Sequence, residues 1–182
     1  PERGRKRFAI AHELGHWVLH QNVSQVLACT SEDMVAQYKA SDPEIAANYF
    51  ASALLMPEFL FSRRLRGRRP STDLVRSLAK DFDTSLTAAF VRYIELVDDY
   101  CAVVFSEGGK VRWWRASRRF EDSFWIDPGS PLSRYTVAGS VFRGEPVPTK
   151  PEKIDLDEWL PDASGIDSNS IFEQVLSLER YG

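Results

Sequence analysis

The stretch RFAIAHELGHWVLH, from Arg7 to His20, constrains this chain more than any other, because it contains all three histidines of the protein. It includes the pattern His-Glu-x-x-His, in which His12 and His16 lie four residues apart. Its apolar residues recur at helical spacing without a proline, which predicts a helix. Side chains four residues apart share one helix face, so both imidazoles can reach one zinc ion at about 2.0–2.1 Å.

The two residues between these histidines that carry most information are Glu13 and Gly15. Glu13 lies one position round the helix from His12, where it is poorly placed as a ligand and well placed to reach a water on the metal. We therefore predict that Glu13 is the catalytic general base. Gly15 lowers helix stability by about 1 kcal/mol relative to alanine. A glycine at this position is reasonable where a substrate or a second helix approaches the backbone.

A second informative stretch, SDPEIAANYFASALLMPEFL, covers residues 41–60. Ser41 or Asp42 is predicted to cap a helix, and Pro43 suits its first position. Pro57 is predicted to end this helix. Its small residues would allow another helix to pack closely; they are Ala46, Ala47, Ala51 and Ala53.

A catalytic zinc site with two histidines needs a third protein ligand and leaves the fourth position to water. The candidates are His20, Asp33, Asp42 and Glu44. His20 follows His12 by eight residues, or about 12 Å along a straight helix, so we predict that it contacts a ligand or lies in the core. Glu44, on a separate helix with small neighbours, is the predicted third ligand, although a helix-dipole charge is its alternative role. Asn48, one turn later, is predicted to hydrogen-bond a ligand imidazole and fix its tautomer.

The two motifs together resemble those of the ImmA/IrrE family of bacterial zinc metallopeptidases. In that family a His-Glu-x-x-His helix is paired with a second helix of the pattern Glu-x-x-Ala-Asn-x-Phe-Ala-x-x-Leu-Leu-Met-Pro. This chain matches the second pattern at Glu44, Ala47, Asn48, Phe50, Ala51, Leu54, Leu55, Met56 and Pro57. The resemblance implies that His12, His16 and Glu44 hold one Zn²⁺ ion, that Glu13 is the catalytic carboxylate, and that the core is helical and zincin-like, of the gluzincin type.

The resemblance also implies an activity and a substrate. The activity is that of a zinc-dependent endopeptidase that hydrolyses peptide bonds through a metal-bound water, and the substrate is a helix-turn-helix transcriptional repressor cut at one site. Two other functions stay open: a non-catalytic zinc-containing regulator, and a DNA-binding module. Tyr38, Tyr49 or an arginine could stabilise the oxyanion, and no spacing selects among them.

Residues 72–97 read as two helices with a break near Asp83, a helix-turn-helix-like segment. A DNA-reading second helix should present arginine, lysine, asparagine or glutamine near its start. The residues near this start are Ser85, Thr87 and Ala88. We therefore predict a packing or protein-recognition module, with DNA binding disfavoured. The preceding stretch FSRRLRGRRP is predicted to be a solvated arginine-rich loop closed by Gly67 and Pro70, in preference to a phosphate site.

The sequence changes character after Tyr100. CAVVFSEGGKVRWWRAS predicts a β-hairpin, FWIDPGSPL and YTVAGSVFRG predict short strands and turns, DLDEWLPD predicts an acidic loop, and Ile171 to Leu178 predict a last strand. The predicted fold is therefore α+β. Residues 1–100 form the metallopeptidase core, and residues 101–182 form a β-rich accessory region that is truncated at its C-terminus.

Composition limits the functional classes. The net charge of −3 divides into a basic part up to Phe120 and an acidic part after it, which does not favour a nucleic-acid protein as a whole. There is no apolar run long enough to span a bilayer and no signal-peptide pattern, so we expect a cytoplasmic protein without a membrane partner. Cys29 and Cys101 are expected to be reduced, with Cys29 a small buried residue and not a ligand. The start without methionine predicts a missing upstream part.

Overall fold

The computed structural model describes residues 2–20, 42–163 and 168–177. Helices and strands are both present, which confirms the predicted α+β class, whereas the zincin-like form of the core stays a prediction. The described residues form two compact units. The first lies within Pro1–Arg68 and Leu74–Leu96, and the second within Arg69–Asp73 and Val97–Gly182. The predicted domain boundary after residue 100 stays a prediction.

The helices up to residue 96 include both helices that carry the sequence motifs. They are α1 (Glu2–Leu19), α2 (Asp42–Leu55), α3 (Glu58–Leu65), α4 (Thr72–Asp81) and α5 (Leu86–Leu96). The prediction of α1 and α2 is confirmed, including the end of α2 just before Pro57. The break between α4 and α5 is confirmed as well, and it is marked by Asp83 with a φ of 50°.

Small residues let α1 and α2 approach each other closely. A Cβ atom added at Gly15 would lie 3.1 Å from both the Cα and the carbonyl oxygen of Ala47, and 3.2 Å from Cβ of Phe50. Ala47 and Ala51 are fully buried. The glycine between the two histidines is therefore explained by the approach of the second helix, which brings Glu44 and Asn48 towards the histidine face of α1.

The N-terminal half of α1 is tied to the turn between α4 and α5. The Arg7 guanidinium donates to the carbonyl oxygens of Phe82 at 2.9 Å and Asp83 at 2.8 Å. Arg3 and Arg7 also pair with the Asp83 carboxylate. A Cβ atom added at Gly4 would lie 2.6 Å from the carbonyl carbon of Thr84, so a larger residue would push α1 off this turn.

The C-terminal end of α2 is held by a buried arginine. Arg92 on α5 is 7% exposed, and its Nε donates to the carbonyl oxygen of Met56 at 3.0 Å. Its guanidinium also pairs with Glu95 at 2.9 Å. Helix ends leave carbonyl groups without an intrahelical partner, so this hydrogen bond satisfies one of them just before Pro57.

The arginine-rich stretch is partly helical, which corrects the prediction of a loop. Arg63 and Arg64 belong to α3, because Phe61 is fully buried and anchors this short helix on the core side. The loop follows it, where Gly67 adopts a φ of 71°. The arginines between residues 63 and 69 are all exposed, and Arg64 pairs with Asp81.

The predicted hairpin of the second unit is confirmed. Strands β1 (Ala102–Glu107) and β2 (Lys110–Ala116) pair antiparallel, with an irregularity between Phe105 and Ser106. Gly108 and Gly109 form the turn with φ values of 58° and 73°, which glycine adopts without steric cost.

The remaining elements are short. They are α6 (Arg118–Glu121), α7 (Val137–Phe142), β3 (Glu152–Asp155), a 3-10 helix (Leu156–Glu158) and β4 (Ser170–Glu173). β3 and β4 pair antiparallel, so the described strands of this unit form two small two-stranded sheets. The buried apolar cluster of the unit consists of Val111, Trp114, Ala116, Phe120, Ile126, Leu156 and Leu160.

Several predictions for the second unit are wrong in detail, and DLDEWLPD, predicted to be a loop, contains the 3-10 helix Leu156–Glu158. Part of YTVAGSVFRG is the helix α7, although its valines favour a strand by intrinsic preference. Thr136 accepts a hydrogen bond from the Gly139 N–H, and Glu173 accepts from the N–H groups of Val137 and Ala138 at 2.9 and 2.8 Å. These bonds satisfy the first N–H groups of the helix. The last strand ends at Glu173, earlier than predicted, and residues after 177 lie outside the described part.

In the described ranges no single helix has both the length and the apolar character needed to cross a membrane. Two consecutive helical segments, Pro43–Leu55 and Glu58–Leu65, meet these criteria of length and composition only when taken together, and they are bent by 66° relative to each other.

Cys101 is a free thiol, and burial together with the nearby Asp99 carboxylate raises its pKa to about 11. Cys29 lies outside the described residues.

Candidate metal centre

Two helices supply the candidate ligands. His12 and His16 project from consecutive turns of α1, and Glu44 projects from the first turn of α2. The close packing at Gly15 and Ala47 places these turns side by side. Together the three side chains form a group whose ligand atoms all lie within 4.8 Å of one another, so the group could hold a metal ion.

The two imidazoles and the carboxylate form a small triangle of groups, in which the two sides that end at Glu44 reach different carboxylate oxygens. The Nε2 atoms of His12 and His16 are 3.0 Å apart. The Glu44 carboxylate lies 3.1 Å from Nε2 of His12 and 3.2 Å from Nε2 of His16. Both imidazoles therefore present the same ring nitrogen, and the carboxylate offers one oxygen to each.

This triangle fits zinc in size and in chemistry. Ligands at 2.0–2.1 Å in a tetrahedral arrangement lie about 3.3 Å from one another. The two Nε2 atoms are 3.0 Å apart, and the nearest carboxylate oxygen lies 3.1 Å from His12 and 3.2 Å from His16, which is close to that spacing. Two imidazole nitrogens and a carboxylate oxygen are ligands that Zn²⁺ favours. A hydrogen bond between the two facing Nε2 atoms needs one of them to be protonated and uses only the lone pair of the other. A bound cation would instead accept the lone pairs of both nitrogens. The metal-binding role of the three residues stays a prediction.

Each histidine has a partner on its other ring nitrogen. Nδ1 of His12 lies 2.9 Å from the amide oxygen of Asn48, and Nδ1 of His16 lies 3.3 Å from Nδ1 of His20. An oxygen at Nδ1 accepts a hydrogen bond from the protonated nitrogen, which leaves Nε2 with its lone pair for a metal. The structure thus brings Asn48 and His20 against the candidate ligands, as their predicted supporting roles require.

Burial within the group is uneven. The side chain of His12 is 3% exposed and that of Glu44 is 11% exposed, whereas that of His16 is 18% exposed. Glu13 is exposed on α1. Solvent therefore reaches the centre from the side of His16, and Glu13 is open to a molecule that arrives there.

Two other candidates from the sequence, Asp33 and Tyr38, lie outside the described residues. Tyr49 is exposed on α2, and five positions after Glu44 correspond to about 140° of rotation round the helix, so it faces another direction. Sequence reasoning missed the role of Arg92 in holding the end of α2, and its one signal was a charged residue within the apolar pattern FVRYI.

Comparison with known proteins agrees with this geometry. The family model Peptidase_M78, described as the IrrE N-terminal-like domain, matches residues 2–93. The matched range includes both ligand-bearing helices and extends into α5. No curated protein matches the chain. Because the family model matches just over half of the chain, and because the match includes both motifs, the chain belongs to the Peptidase_M78 family, the family of ImmA/IrrE metallopeptidases.

Proposed function

We propose that the protein is a zinc-dependent endopeptidase. The observation that carries this proposal is the triangle of two Nε2 atoms and one carboxylate, with sides of 3.0–3.2 Å. Membership of a peptidase family supports a protein substrate. His12, His16 and Glu44 would hold the single ion, which when bound supplies a Lewis acid for a peptide carbonyl and lowers the pKa of water.

Glu13 provides the proton transfer in this proposal. Its carboxylate takes a proton from the attacking water and returns it to the nitrogen of the leaving amine. The C–N bond of the peptide is replaced by a C–O bond, and the carboxylate is regenerated at the end of the cycle. The exposed position of Glu13 leaves it accessible to a bound peptide.

The ligand number argues against a purely structural metal. Structural zinc sites are generally closed by four protein ligands, whereas catalytic sites use three and keep one position open. The group found among the described residues has three members, and its His16 side is partly open to solvent. A non-catalytic zinc-containing regulator would therefore hold its metal in a site of the catalytic type.

The packing of α5 argues against a DNA-binding module. A recognition helix needs side chains that project freely towards base edges. Arg92, the arginine of this helix, is buried and donates to the carbonyl oxygen of Met56. Ser85 accepts a hydrogen bond from the N–H of Ala88 and so caps the start of the helix. These contacts favour packing over DNA reading.

The proposed substrate is a helix-turn-helix transcriptional repressor cut at one site, as the family resemblance implies. The test is to incubate the purified protein with a repressor encoded beside its gene and to follow fragments by mass spectrometry. We expect one cleavage, lost with a chelator and restored by zinc. Cleavage of other proteins but not of this repressor would reject the proposed substrate and would still support the proposed peptidase activity.

The catalytic role is tested with Glu13→Gln, which keeps the size of the side chain and removes the base. We expect kcat to fall by about 10²–10⁴-fold, the usual contribution of general acid–base catalysis. Zinc content, measured by atomic emission, should equal that of the wild type. Glu58→Gln, at an exposed acid on α3, is the control and should leave both unchanged. Full activity of Glu13→Gln would contradict the proposed base.

A further inference from the structure

His16 has two ring nitrogens with separate contacts, and a metal at one of them would require the proton of the neutral ring to be on the other. Its Nε2 lies 3.0 Å from Nε2 of His12 and 3.2 Å from Glu44, on the side where the metal would bind. A nitrogen that binds a metal must offer its lone pair, so the proton of neutral His16 must be on Nδ1. Nδ1 faces away from the triangle, towards His20.

The contact with His20 can select this form. The two Nδ1 atoms are 3.3 Å apart, and they form a hydrogen bond only when one of them donates and the other accepts. If His16 donates, His20 must accept through an unprotonated Nδ1 and carry its own proton on Nε2. The rings are tilted by 47° with centroids 5.3 Å apart, so they are not stacked face to face.

The backbone positions His20 for this contact. Helix α1 ends at Leu19, and the N–H of His20 still donates to the carbonyl oxygen of His16 at 2.9 Å. The last turn of the helix therefore places the ring of His20 next to the ring of His16. Because this backbone bond does not involve the side chain, a substitution of His20 can remove the ring contact and keep the helix end.

The geometry points to His20 as a positioning residue that fixes His16 in its Nδ1-protonated tautomer and so directs Nε2 to the metal. The inference rests on the proposed metal centre. In this inference His20 is not itself a ligand, because it contacts Nδ1 of His16 whereas the metal would bind Nε2. His12 donates the equivalent hydrogen bond to the amide oxygen of Asn48, a buried residue on the other helix.

The test compares zinc affinity in two variants, measured by competition with a chromophoric chelator. His20→Phe keeps a planar ring and removes the acceptor, and we expect zinc to bind about 10–100-fold more weakly. His20→Asn returns an acceptor near the position of Nδ1, and we expect it to restore most of the affinity. Leu19→Ala, at the exposed last residue of α1, is the control for changes at the helix end and should bind as the wild type does.

Unchanged affinity in His20→Phe would overturn the inference. Equal weakening in His20→Phe and His20→Asn, with helix content by circular dichroism intact, would also overturn it, because the imidazole would then matter for a reason other than its acceptor. If the wild type binds no zinc, the proposed metal centre itself is rejected. This outcome is distinguishable from failure of the inference about His20, because it is seen before any variants are compared.

A second measurement reads the tautomer directly. In protein loaded with a magnetically active cadmium isotope, scalar coupling of the metal to the His16 ring identifies the bound nitrogen. We expect coupling through Nε2 alone in the wild type, and a mixture of bound nitrogens or a lost coupling in His20→Phe. Coupling through Nδ1 in the wild type would contradict the inference even if the affinities followed the expected order.

Discussion

Glu44 in the first unit is buried and Glu173 in the second is half-buried, but their carboxylates have different neighbouring groups. Glu44 faces two imidazole nitrogens at 3.1 and 3.2 Å. Glu173 accepts hydrogen bonds from three N–H groups, two in the backbone of α7 and one in the indole of Trp159. Imidazole nitrogens can act as bases, whereas amide and indole N–H groups can only donate.

This contrast distinguishes the proposed metal-binding site from a structural contact. The carboxylate of Glu173 meets donors that are always present, so its interactions are complete in the folded chain. The carboxylate of Glu44 meets nitrogens that in their metal-binding form carry lone pairs, so the three groups repel one another until a cation joins them. The same substitution, glutamate to glutamine, should therefore have opposite consequences at the two positions.

Glu44→Gln should give the largest effect. A neutral amide loses the charge that attracts the cation, and we expect zinc affinity to fall by more than about 100-fold, beyond the loss usually seen when a residue supporting a ligand is removed. The amide can donate to one Nε2 atom, so the metal-free protein should keep its free energy of unfolding. Zinc competition and urea unfolding in a chelator measure the two quantities.

Retention of tight zinc binding by Glu44→Gln would break the comparison, because the carboxylate would then be a helix-dipole charge and not a ligand. A large loss of stability in the metal-free variant would also break it. The Glu58→Gln variant serves again as the control, since Glu58 is an exposed acid in the first turn of a neighbouring helix.

Glu173→Gln should give the intermediate effect, on stability alone. The amide keeps one acceptor oxygen and turns an NH₂ group towards N–H donors, which leaves at least one buried donor unsatisfied. We expect a loss of about 1–3 kcal/mol in the free energy of unfolding, measured with urea and tryptophan fluorescence. Zinc affinity should not change.

The control for Glu173→Gln is Glu152→Gln, because Glu152 is exposed and lies directly opposite Glu173 in the β3–β4 pair. It should change stability by less than about 0.5 kcal/mol. If both variants unfold alike, the hydrogen bonds to α7 do not stabilise the second unit in the way described here.

Gly15→Ala should give the smallest effect and sharpens the comparison on the side of the metal centre. The added Cβ would meet backbone atoms of Ala47 at 3.1 Å, which cannot turn aside as a flexible side chain can. The helix gains about 1 kcal/mol from alanine, which offsets part of the strain. We expect α2 to shift by a few tenths of an ångström and zinc to bind roughly 10-fold more weakly, because this shift takes up most of the roughly half an ångström within which a ligand must be held.

Gly4→Ala is the matched variant, because it strains α1 against the α4–α5 turn at the opposite end of the helix from the histidines. It should lower stability by about 1–3 kcal/mol and leave the intrinsic zinc affinity of the folded protein nearly unchanged. Equal zinc affinities for Gly15→Ala and the wild type would show that α2 can move without disturbing the centre.

The two units also differ in how far the sequence predicts them. The three candidate ligands lie in short sequence motifs on strongly periodic helices; they are His12, His16 and Glu44. Gly15 indicates that another helix packs closely at this point. The sequence near each ligand is therefore enough to predict that the three side chains lie together. Helix α7 depends on Glu173, more than thirty residues later, whose hydrogen bonds outweigh the strand preference of the valines in the helix. Helix α3 was missed because its anchor is the single buried side chain of Phe61.

The buried bond from Arg92 to Met56 has a mechanical consequence for the metal centre. It fastens one end of α2, while Glu44 lies twelve residues away, or about 18 Å along the axis at 1.5 Å per residue. A lever of that length converts a rotation of about 3° at the fastened end into roughly 1 Å at the carboxylate. In the proposed metal centre, a small rotation of α2 about this hydrogen bond would therefore change the distance between the Glu44 carboxylate and the two imidazoles.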